Sequence, residues 1–442
     1  MTLSTVTRLT HNEIKKIYTS GCKPKSDLKV GFEYERLPII KDDYIAADYS
    51  GEHGLNKFLS EYAKTENWDY ITDNNKIIGL KQGHNTITLE PGCQTEFSIE
   101  PQQDIAQLEN KVNMLNNQMI PILDKLGISL INYGVSPVST YKTINLIPKK
   151  RYHIMAKYLW GILSDVMMRE TAGIQGTFDF TDEEDAIKKF KIANMLSPFM
   201  TAMFANSPIR GGVDTGYKSF RALSWLNTDN DRCGFFSNFK DDFNFDDYIN
   251  YVITTPMLFI TRNNENIIFS GDKSFDKYME YGHAGFYAEL DDYLLQANLC
   301  FPEVRLRNFI EVRNHDCNGG KLPYAMLAIY KGILYSPSSI SSIEELLKDL
   351  SSEDFNELRY NVPKYALDTK IKNKTLSIYA KEIINIAENG LKEVNKKEIS
   401  YLDYIKEYTF NGITPADVII RNWYGIWGKN INKFIKYIVN KY

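Results

Sequence analysis

Three predicted β-strand segments each carry a pair of glutamates. The pairs are Glu33 and Glu35 in residues 27–40, Glu90 and Glu96 in residues 85–99, and Glu303 and Glu311 in residues 301–316. In each segment the acids fall on the polar side of an alternating pattern whose other side is apolar. Carboxylate oxygens from neighbouring strands suit Mg²⁺ or Mn²⁺, ions that also bridge substrate phosphates. The spacing therefore indicates a hard-metal site, although a single glutamate is more often a surface or ion-paired residue.

The segment FPEVRLRNFIEVRNHD, residues 301–316, adds arginines to these acids. With a period of two, one face carries Glu303, Arg305, Arg307, Glu311 and Arg313, and the other face carries apolar residues. Guanidinium groups bind carboxylate and phosphate oxygens through paired hydrogen bonds, and Arg221 would supply a further one. Arginines beside a metal site indicate phosphoryl transfer. The alternative is a solvated outer face of a surface sheet, where charged alternation is also common.

Several catalytic motifs are absent. The sequence has no G-x-x-x-x-G-K-[ST] loop and no G-x-G-x-x-G after a strand, so neither a P-loop nor a Rossmann crevice would hold a nucleotide. H-E-x-x-H and G-x-S-x-G are absent too, which removes the basis for zinc proteolysis and serine hydrolysis. Any nucleotide phosphates would then be bound through metal. Phe220 and Trp225 flank Arg221 and could stack on a ligand, but such aromatic residues are more often core.

The histidines and cysteines offer little independent chemistry. His84 and His315 lie nearest in sequence to the acids and arginines, and we expect both to occupy supporting positions rather than to bind metal. Cys93 and Cys317 have no evident catalytic base, so packing is favoured over a nucleophilic role. The five cysteines show no zinc-type spacing and no C-x-x-C pair, which favours a reducing cytoplasm.

The bulk composition is that of a folded protein without a strong net charge. The 442 residues are 43% hydrophobic and 24% charged, and the formal net charge is −4. This balance gives no field that would draw the chain onto nucleic acid or an anionic membrane. No apolar run is long enough for a membrane span or typical of a signal peptide. We therefore expect one elaborated domain over residues 1–442, located in the cytoplasm and acting on small molecules, with its oligomeric state open.

The hydrophobic periodicity predicts the elements that must position these charged residues. It predicts a helical lead-in at 1–27, strands at 27–40, 85–99, 128–135 and 172–180, helices at 104–126, 148–169 and 183–205, a β-rich region at 246–275 and a mostly helical part over 341–442. A turn at Pro91-Gly92 divides the segment 85–99 into two strands. No repeat or low-complexity linker marks a domain boundary.

Seven motifs, found in order, resemble the glutamate–cysteine ligases of the plant and proteobacterial type. They are VGFEYERLP (30–38), TLEPGCQTEFS (88–98), PKKRYHIMAKYL (148–159), MMRETAGIQGTFDF (167–180), FANSPIRGG (204–212), SFRALSWLNTDNDRCGF (219–235) and FPEVRLRNFIEVRNHD (301–316). The resemblance extends over residues 28–340. Each motif alone is a weak signal, whereas seven in order are a strong one.

The resemblance implies an α+β fold of the glutamine-synthetase-like carboxylate–amine ligase type. Its curved antiparallel sheet would have helices on the outer face and an active-site tunnel on the concave face. The positions that match magnesium ligands of the family are Glu33, Glu35, Glu96 and Glu311. Arg313 matches a residue near the transferred phosphate, and Arg305 and Arg221 resemble clamps for phosphate or carboxylate. The residues that the resemblance places at the substrate are Gln175, Trp225, Glu90 and Gln94.

The activity that the resemblance implies is ATP-dependent ligation of the γ-carboxylate of glutamate to the amine of cysteine. The reaction would proceed through γ-glutamyl phosphate with Mg²⁺ or Mn²⁺, as the first step of glutathione synthesis. Cys93 in EPGCQ and Asn314-His315 in RNHD depart from the family pattern, and they leave a same-fold ligase for another amine as the alternative. A non-catalytic binding protein is a third hypothesis, which the convergence of so many like charges disfavours.

Overall fold

The structure is a computed structural model that describes residues 8–236, 239–240, 242–269 and 273–439, and the structural statements below concern these residues. Strands and helices are numbered in chain order. The strands are β1 (Val30–Ile40), β2 (Asp69–Asp73), β3 (Lys76–Gln82), β4 (Asn85–Leu89), β5 (Thr95–Gln102), β6 (Ile128–Ile131), β7 (Gly173–Phe178), β8 (Ile209–Arg210), β9 (Val213–Asp214), β10 (Cys233–Gly234), β11 (Phe259–Arg262), β12 (Glu265–Ile268), β13 (Phe301–Pro302), β14 (Val304–Leu306), β15 (Ile310–Asp316), β16 (Lys370–Ile371) and β17 (Lys374–Thr375).

The α-helices account for most of the remaining regular structure. They are α1 (His11–Thr19), α2 (Leu55–Glu66), α3 (Ile105–Lys125), α4 (Lys150–Tyr158), α5 (Ser164–Glu170), α6 (Glu183–Met203), α7 (Phe220–Leu226), α8 (Phe245–Thr254), α9 (Phe275–Tyr281), α10 (Leu290–Asn298), α11 (Leu322–Leu334), α12 (Pro337–Leu347), α13 (Ser352–Tyr365), α14 (Leu376–Val394), α15 (Leu402–Thr409), α16 (Pro415–Tyr424) and α17 (Ile431–Val439). None of the described helices is both long and apolar enough to cross a lipid bilayer.

Nine strands form one open antiparallel sheet around β1. The path is β14-β15-β7-β1-β5-β4-β3-β2, and β6 pairs with the second half of β1. On one face, Tyr34 of β1 lies opposite Phe97 of β5 and Ile174 of β7, and Phe32 of β1 lies opposite Ile99 of β5; these residues are buried. Helices α3, α6 and α11 pack against the sheet. The predicted α+β class, with an antiparallel sheet and helices packed on it, is confirmed.

The C-terminal helices pack closely onto the helical layer. Helix α14 lies against α11, and the two backbones meet at Gly332 and Gly390. A Cβ atom on Gly390 would come within 1.8 Å of the Gly332 carbonyl oxygen, so the contact requires glycine. Beside this contact, Lys331 forms a buried ion pair with Glu398 at 2.7 Å. The mostly helical C-terminal part predicted from the sequence is confirmed.

Three predicted elements differ from the structure. Segment 148–169 is two helices, α4 and α5, because the Gly161 N–H bonds the Thr228 carbonyl oxygen at 2.6 Å and diverts the chain between them. Segment 246–275 begins with helix α8, whose N-cap Asn244 forms a capping box, and only its middle is the β11–β12 hairpin. Segment 301–316 is a hairpin of β14 and β15 rather than one strand.

Candidate active site

The polar face of the sheet brings acids of neighbouring strands into register. Glu35 on β1 lies directly opposite Glu96 on β5. The neighbouring residue on the same face of β1, Glu33, lies opposite Gln175 on β7. Side chains directly opposite each other in an antiparallel pair are close neighbours, and like charges there repel. The Thr88 hydroxyl donates to Glu96 at 3.2 Å, and the Gly173 N–H donates to Glu35 at 2.6 Å. The sheet therefore gathers carboxylates that came from separate stretches of sequence.

The β14–β15 hairpin contributes a buried acid bound by two arginines. Arg305 pairs with Glu311 across the hairpin and donates two parallel hydrogen bonds to it, at 2.8 and 2.9 Å. Arg313 donates a further short hydrogen bond to Glu311. Burial alone would raise the pKa of Glu311, but the positive charges of Arg305, Arg313 and Arg307 hold it well below its usual range. Glu311 is therefore ionised and fixes the arginines in place.

Gln175 connects the acids of β1 with the arginines. Its Nε2 donates to Glu35 at 3.3 Å and its Oε1 accepts from Arg313 at 2.7 Å. Arg313 itself lies where the pairing of β15 with β7 shifts register between Val312 and His315. Such bulges redirect side chains near active sites, which here turns Arg313 toward the acids.

Helix α7 supplies Arg221 and Trp225 from another side of the site. The helix is capped by Ser219, whose hydroxyl accepts from the Ala222 N–H at 3.0 Å. Arg221 donates to the Arg313 carbonyl oxygen at 3.0 Å, whereas its Nε and the Trp225 Nε1 are buried donors without a partner in the described structure. Gly173 permits this approach, since a Cβ atom there would lie 2.4 Å from the Arg221 guanidinium.

A single cleft, with about 1000 Å³ of empty space, is lined by ten of the eleven predicted site residues. They are Glu33, Glu35, Glu90, Gln94, Glu96, Gln175, Arg221, Trp225, Arg305 and Arg313. The eleventh, Glu311, is 2% exposed and lies beneath the arginines that it binds. The structure therefore brings together residues that are up to 280 positions apart in the chain, from Glu33 to Arg313.

Burial and mutual repulsion raise the pKa values of the cleft carboxyls. The pKa of Glu33 rises to about 7 because the group is buried and lies near the Glu311 carboxylate. Burial raises the pKa of Glu35, and Glu90 adds to the increase. The pKa of Glu96 rises well above its ordinary value through burial and through Glu33, Glu90 and Glu35. Ionising all of these buried carboxyls together is therefore unfavourable unless a cation lies among them.

The same cluster can be tested for its fit to a divalent metal. No three His, Cys, Asp or Glu side chains within the described ranges form a ready-made metal site. Glu33, Glu35 and Glu96 nevertheless fit one chemically, because a divalent cation would relieve the repulsion among adjacent buried carboxylates. Glu311 fits less well, because both of its oxygens already accept hydrogen bonds from arginines. We keep the predicted metal role for the first three and treat Glu311 as the anchor of the arginines.

The predicted position of Glu303 with the other acids is wrong. Glu303 precedes β14, where its N–H bonds the Gly234 carbonyl oxygen at 2.8 Å, and the alternation of the hairpin does not extend to it. Its carboxylate accepts short hydrogen bonds from Arg359 and Ser197. Glu303 therefore lines a neighbouring apolar pocket rather than the cleft.

Gln94 lines the cleft with both of its side-chain N–H groups bonded. Its Nε2 donates to the carbonyl oxygens of Met168 and Thr171, at 3.0 and 2.9 Å, and its Oε1 accepts from the Gly92 N–H at 2.7 Å. These bonds fix the β4–β5 turn in front of the acids. The predicted substrate contact of Gln94 would therefore use the second lone pair of Oε1, because both N–H groups are already bonded.

Cys93 and Cys317 are packing residues, as the sequence indicated, and His315 is a core residue rather than a residue of a loop. Cys93 and Cys317 are buried, and burial raises the pKa of each thiol, which keeps both protonated. His315 is fully buried between the rings of Phe204 and Tyr330. Burial and the nearby Arg221 lower its pKa to about 3, so the ring is neutral.

Sequence reasoning missed a basic group at the start of α4. Arg151 and Tyr152 line the cleft, and the Tyr152 hydroxyl donates to both oxygens of Glu90 at 3.0 Å. Asn298 and Arg307 line the cleft as well. The available signal was the run Lys149-Lys150-Arg151 at a predicted helix start, where cations oppose the helix dipole and so indicate a function other than helix stability.

The fold and the site together define a class of protein. An antiparallel sheet with helices packed on it and a cleft of acids and arginines is typical of carboxylate–amine ligases of the glutamine-synthetase-like fold. Among solved structures, a glutamate–cysteine ligase of Francisella tularensis in complex with AMP matches with a TM-score of 0.57 at 14% identity, covering 93% of this chain and 88% of that one. A bifunctional glutathione synthetase of Pasteurella multocida matches with a TM-score of 0.53 at 9% identity, covering 98% and 54%. At these identities the likeness shows the fold alone.

The particular family follows from sequence comparison. The family model described as glutamate–cysteine ligase family 2 matches residues 29–434. Glutamate–cysteine ligase B, chloroplastic, of Oryza sativa subsp. japonica is 33% identical over 430 residues, 96% of this chain and 86% of the relative. The chloroplastic glutamate–cysteine ligase of Arabidopsis thaliana is 32% identical over 430 residues, covering 96% and 82%. The chain belongs to glutamate–cysteine ligase family 2, and it is a ligase. Because these relatives are named as chloroplastic, the cytoplasmic location stays a prediction.

Proposed function

We propose that the chain joins the γ-carboxylate of L-glutamate to the amine of L-cysteine at the expense of ATP. The observation that carries the proposal is the convergence of Glu33, Glu35 and Glu96 with Arg221 and Arg313 in one cleft. The names of the plant relatives support the two amino acid substrates, and the AMP in the Francisella tularensis ligase supports a nucleotide. The product, γ-glutamylcysteine, would place the reaction at the first step of glutathione synthesis.

The two unpartnered donors of α7 fit the carboxylate of a bound glutamate. Arg221 Nε and Trp225 Nε1 both belong to residues that line the cleft, and neither has a hydrogen-bond acceptor in the described structure. A buried donor without an acceptor costs about 1–3 kcal/mol, which a substrate carboxylate would recover. Binding there would orient the side-chain carboxylate of glutamate toward the centre of the cleft.

The arginines of β14 and β15 would stabilise charge during phosphoryl transfer. A carboxylate is a poor acyl donor, so an oxygen of the γ-carboxylate would first attack the terminal phosphorus of ATP, which forms γ-glutamyl phosphate and releases ADP. Arg313 is held by Glu311 and Gln175 at fixed geometry, so it can bind the transferred phosphoryl oxygens without reorganising. The amine of cysteine would then displace phosphate. The cleft would mainly position the reactants and exclude water.

A divalent cation, Mg²⁺ or Mn²⁺, belongs to the same proposal. Glu33, Glu35 and Glu96 would hold it, where it would neutralise the phosphates of the nucleotide. Burial and mutual repulsion raise the pKa values of these carboxyls, and a bound cation would favour their ionised forms.

The deciding experiment supplies purified protein with ATP, Mg²⁺ and glutamate together with a panel of amines. Phosphate release is measured together with the mass of the product. We expect release only when cysteine is present, with γ-glutamylcysteine as product, and no release from the Glu96→Gln variant. Release with another amine alone would contradict the cysteine assignment and support a same-fold ligase for that amine, which the departures at Cys93 and Asn314 keep open. No release with any amine would contradict ligase activity on glutamate.

A further inference from the structure

The apolar face of the sheet, opposite the cleft, holds a buried arginine. Arg36 follows Tyr34 in the alternation of β1, so its side chain lies on the face away from Glu33 and Glu35. Arg36 is 1% exposed and is one of the largest fully buried side chains of the described chain. Burying a guanidinium is costly unless another group compensates for its lost hydration.

No carboxylate of the described residues forms an ion pair with Arg36. Its Nη2 has only the Met119 sulfur, a weak acceptor, at 3.6 Å, and its Nε is buried without a hydrogen-bond partner. The guanidinium carbon lies 4.5 Å from the centroid of the Phe97 ring and 5.2 Å from that of Tyr34. Aromatic faces stabilise a cation in part, but they do not replace a charged hydrogen-bond acceptor. The described chain therefore leaves Arg36 without a counter-ion.

A cavity with about 800 Å³ of empty space lies beside Arg36. Its walls come from β1, α3, β6 and the end of α17, and we call it the rear cavity. The volume is in the range of cavities that take small organic ligands. The apolar residues of its wall are Met119, Ile120, Leu123, Ile128, Leu130 and Val439.

The charges of the rear cavity sum to one positive charge at its inner end. Lys41 and Asp124 form an ion pair at 2.6 Å, and their side chains are 39% and 54% exposed, so they lie at the mouth and offset each other. Arg36, which is buried, supplies the remaining charge. A matching ligand carries one negative charge. A carboxylate has that charge, whereas a phosphate monoester is mostly dianionic at neutral pH.

We propose that the rear cavity binds a small molecule with one carboxylate and an aliphatic chain. The carboxylate accepts hydrogen bonds from the Arg36 guanidinium, whose Nε lacks an acceptor otherwise. The aliphatic chain packs against Met119, Leu123 and Leu130 and points toward the mouth. The site is separate from the cleft, so this inference does not depend on the proposed ligase function.

The test measures the binding of octanoate to the full chain by calorimetry. Acetate, which has the carboxylate without the chain, and 1-octanol, which has the chain without the charge, are the matched probes. We expect octanoate to bind at one site and both probes to bind about tenfold or more weakly, because each lacks one half of the recognition. Absence of octanoate binding, or equal affinity for octanoate and 1-octanol, would overturn the inference.

A variant of the arginine tests the contact with the carboxylate. Arg36→Met removes the charge and keeps an unbranched side chain in the core, and circular dichroism checks that the variant is folded. We expect it to weaken octanoate about tenfold or more and to change the affinity for 1-octanol little, because only octanoate loses a charge-assisted hydrogen bond. Wild-type affinity for octanoate in the folded variant would contradict the proposed site.

A variant at the mouth tests the site without altering the core. Ile120 is 38% exposed in the wall of the rear cavity, and Ile120→Glu adds a carboxylate that repels an anionic ligand. We expect octanoate to bind about threefold or more weakly. Met114→Glu is the matched control, since Met114 is 40% exposed on the same helix and lies outside the rear cavity. Equal effects of the two substitutions would show that octanoate binds elsewhere.

Discussion

Glu96 on β5 faces Glu35 on β1, and burial and the neighbouring carboxylates raise the pKa of Glu96. Replacing Glu96 by Gln keeps the shape and removes one charge. We therefore expect metal-free Glu96→Gln to unfold at no lower denaturant concentration than wild type, while ligation falls more than about 100-fold. Glu100→Gln, on the same strand outside the cleft, should change neither quantity. A less stable variant that retains activity would contradict a metal or substrate role for Glu96.

Glu311 shows the opposite electrostatics, because arginines hold its charge in a buried site. We expect Arg305→Met to lower the free energy of unfolding by about 3–5 kcal/mol, since it leaves a buried carboxylate without its two-point partner. Arg307→Met is the control: Arg307 is 31% exposed and lies 3.6 Å from Glu311, so we expect a loss below about 1 kcal/mol. Chemical denaturation followed by circular dichroism measures both. Equal losses would contradict the two-point arrangement.

At the residue scale, the sequence indicated which residue types line the site better than it indicated which side chains bind each other. Alternation correctly placed Glu33, Glu35 and Glu96 on a polar face, because a period of two leaves no other option in a strand. It could not show that both oxygens of Glu311 accept hydrogen bonds from arginines, since that depends on how the β14–β15 hairpin folds back. It also missed Tyr152, because a tyrosine between basic residues has no periodic signature.

At the scale of elements, the approach of α7 to β7 depends on a residue without a side chain. Gly173→Ala would place a Cβ atom 2.4 Å from the Arg221 guanidinium, which must then move. Because the obstructed atoms end a flexible side chain, we expect a stability loss below about 1 kcal/mol but a 10- to 100-fold fall in kcat/KM, on the order of what small misplacements cost. Gly234→Ala has open space at its Cβ and should be silent in the same assays. A silent Gly173→Ala would mean that Arg221 needs no fixed position.

Residues 301–316 were predicted as one strand and form a hairpin, yet the prediction of which side chains share a face was mostly correct. Arg305 pairs with Glu311, and the turn between β14 and β15 spans an odd number of residues, 307–309. The alternation therefore continues across the turn with the same parity, and the sequence pattern cannot reveal that the chain reverses there. The break between α4 and α5 was invisible for another reason: it is stabilised by carbonyl groups of residues 227–228, which are distant in sequence.

At the scale of the whole molecule, we propose that the C-terminal helices belong to the same folding unit as the sheet. Gly390→Ala would bring a Cβ atom within 1.8 Å of a backbone oxygen of α11, which cannot yield as a side chain can. We expect a loss of about 1–3 kcal/mol. Asn385→Ala, exposed on the same helix, is the control and should change stability by less than about 0.5 kcal/mol.

If the C-terminal helices and the sheet form one folding unit, ligase activity and helical signal should be lost at the same denaturant concentration. We expect the loss of ligase activity and the loss of helical signal to share one denaturation midpoint in wild type and in Gly390→Ala. Two separated midpoints would show that the C-terminal helices fold as an independent domain. The sequence predicted these helices but not their attachment, because the Gly332–Gly390 contact is formed by residues with no side chains to pattern.

The alternation of acids and apolar residues along β1 also fixes the pairing register of this strand. Its residues pair with β5, β6 and β7 at once, so no neighbour can shift alone to accommodate a change in register. A substitution leaves the pairing register of β1 unchanged, so single substitutions in the strand are tolerated more readily than a deletion. Deleting one residue between the two acids, such as Tyr34, would put the two halves of the strand out of phase, so that Glu33 and Glu35 could no longer both face the cleft. We therefore expect homologous sequences to keep the length of β1 even where the identities of its residues differ.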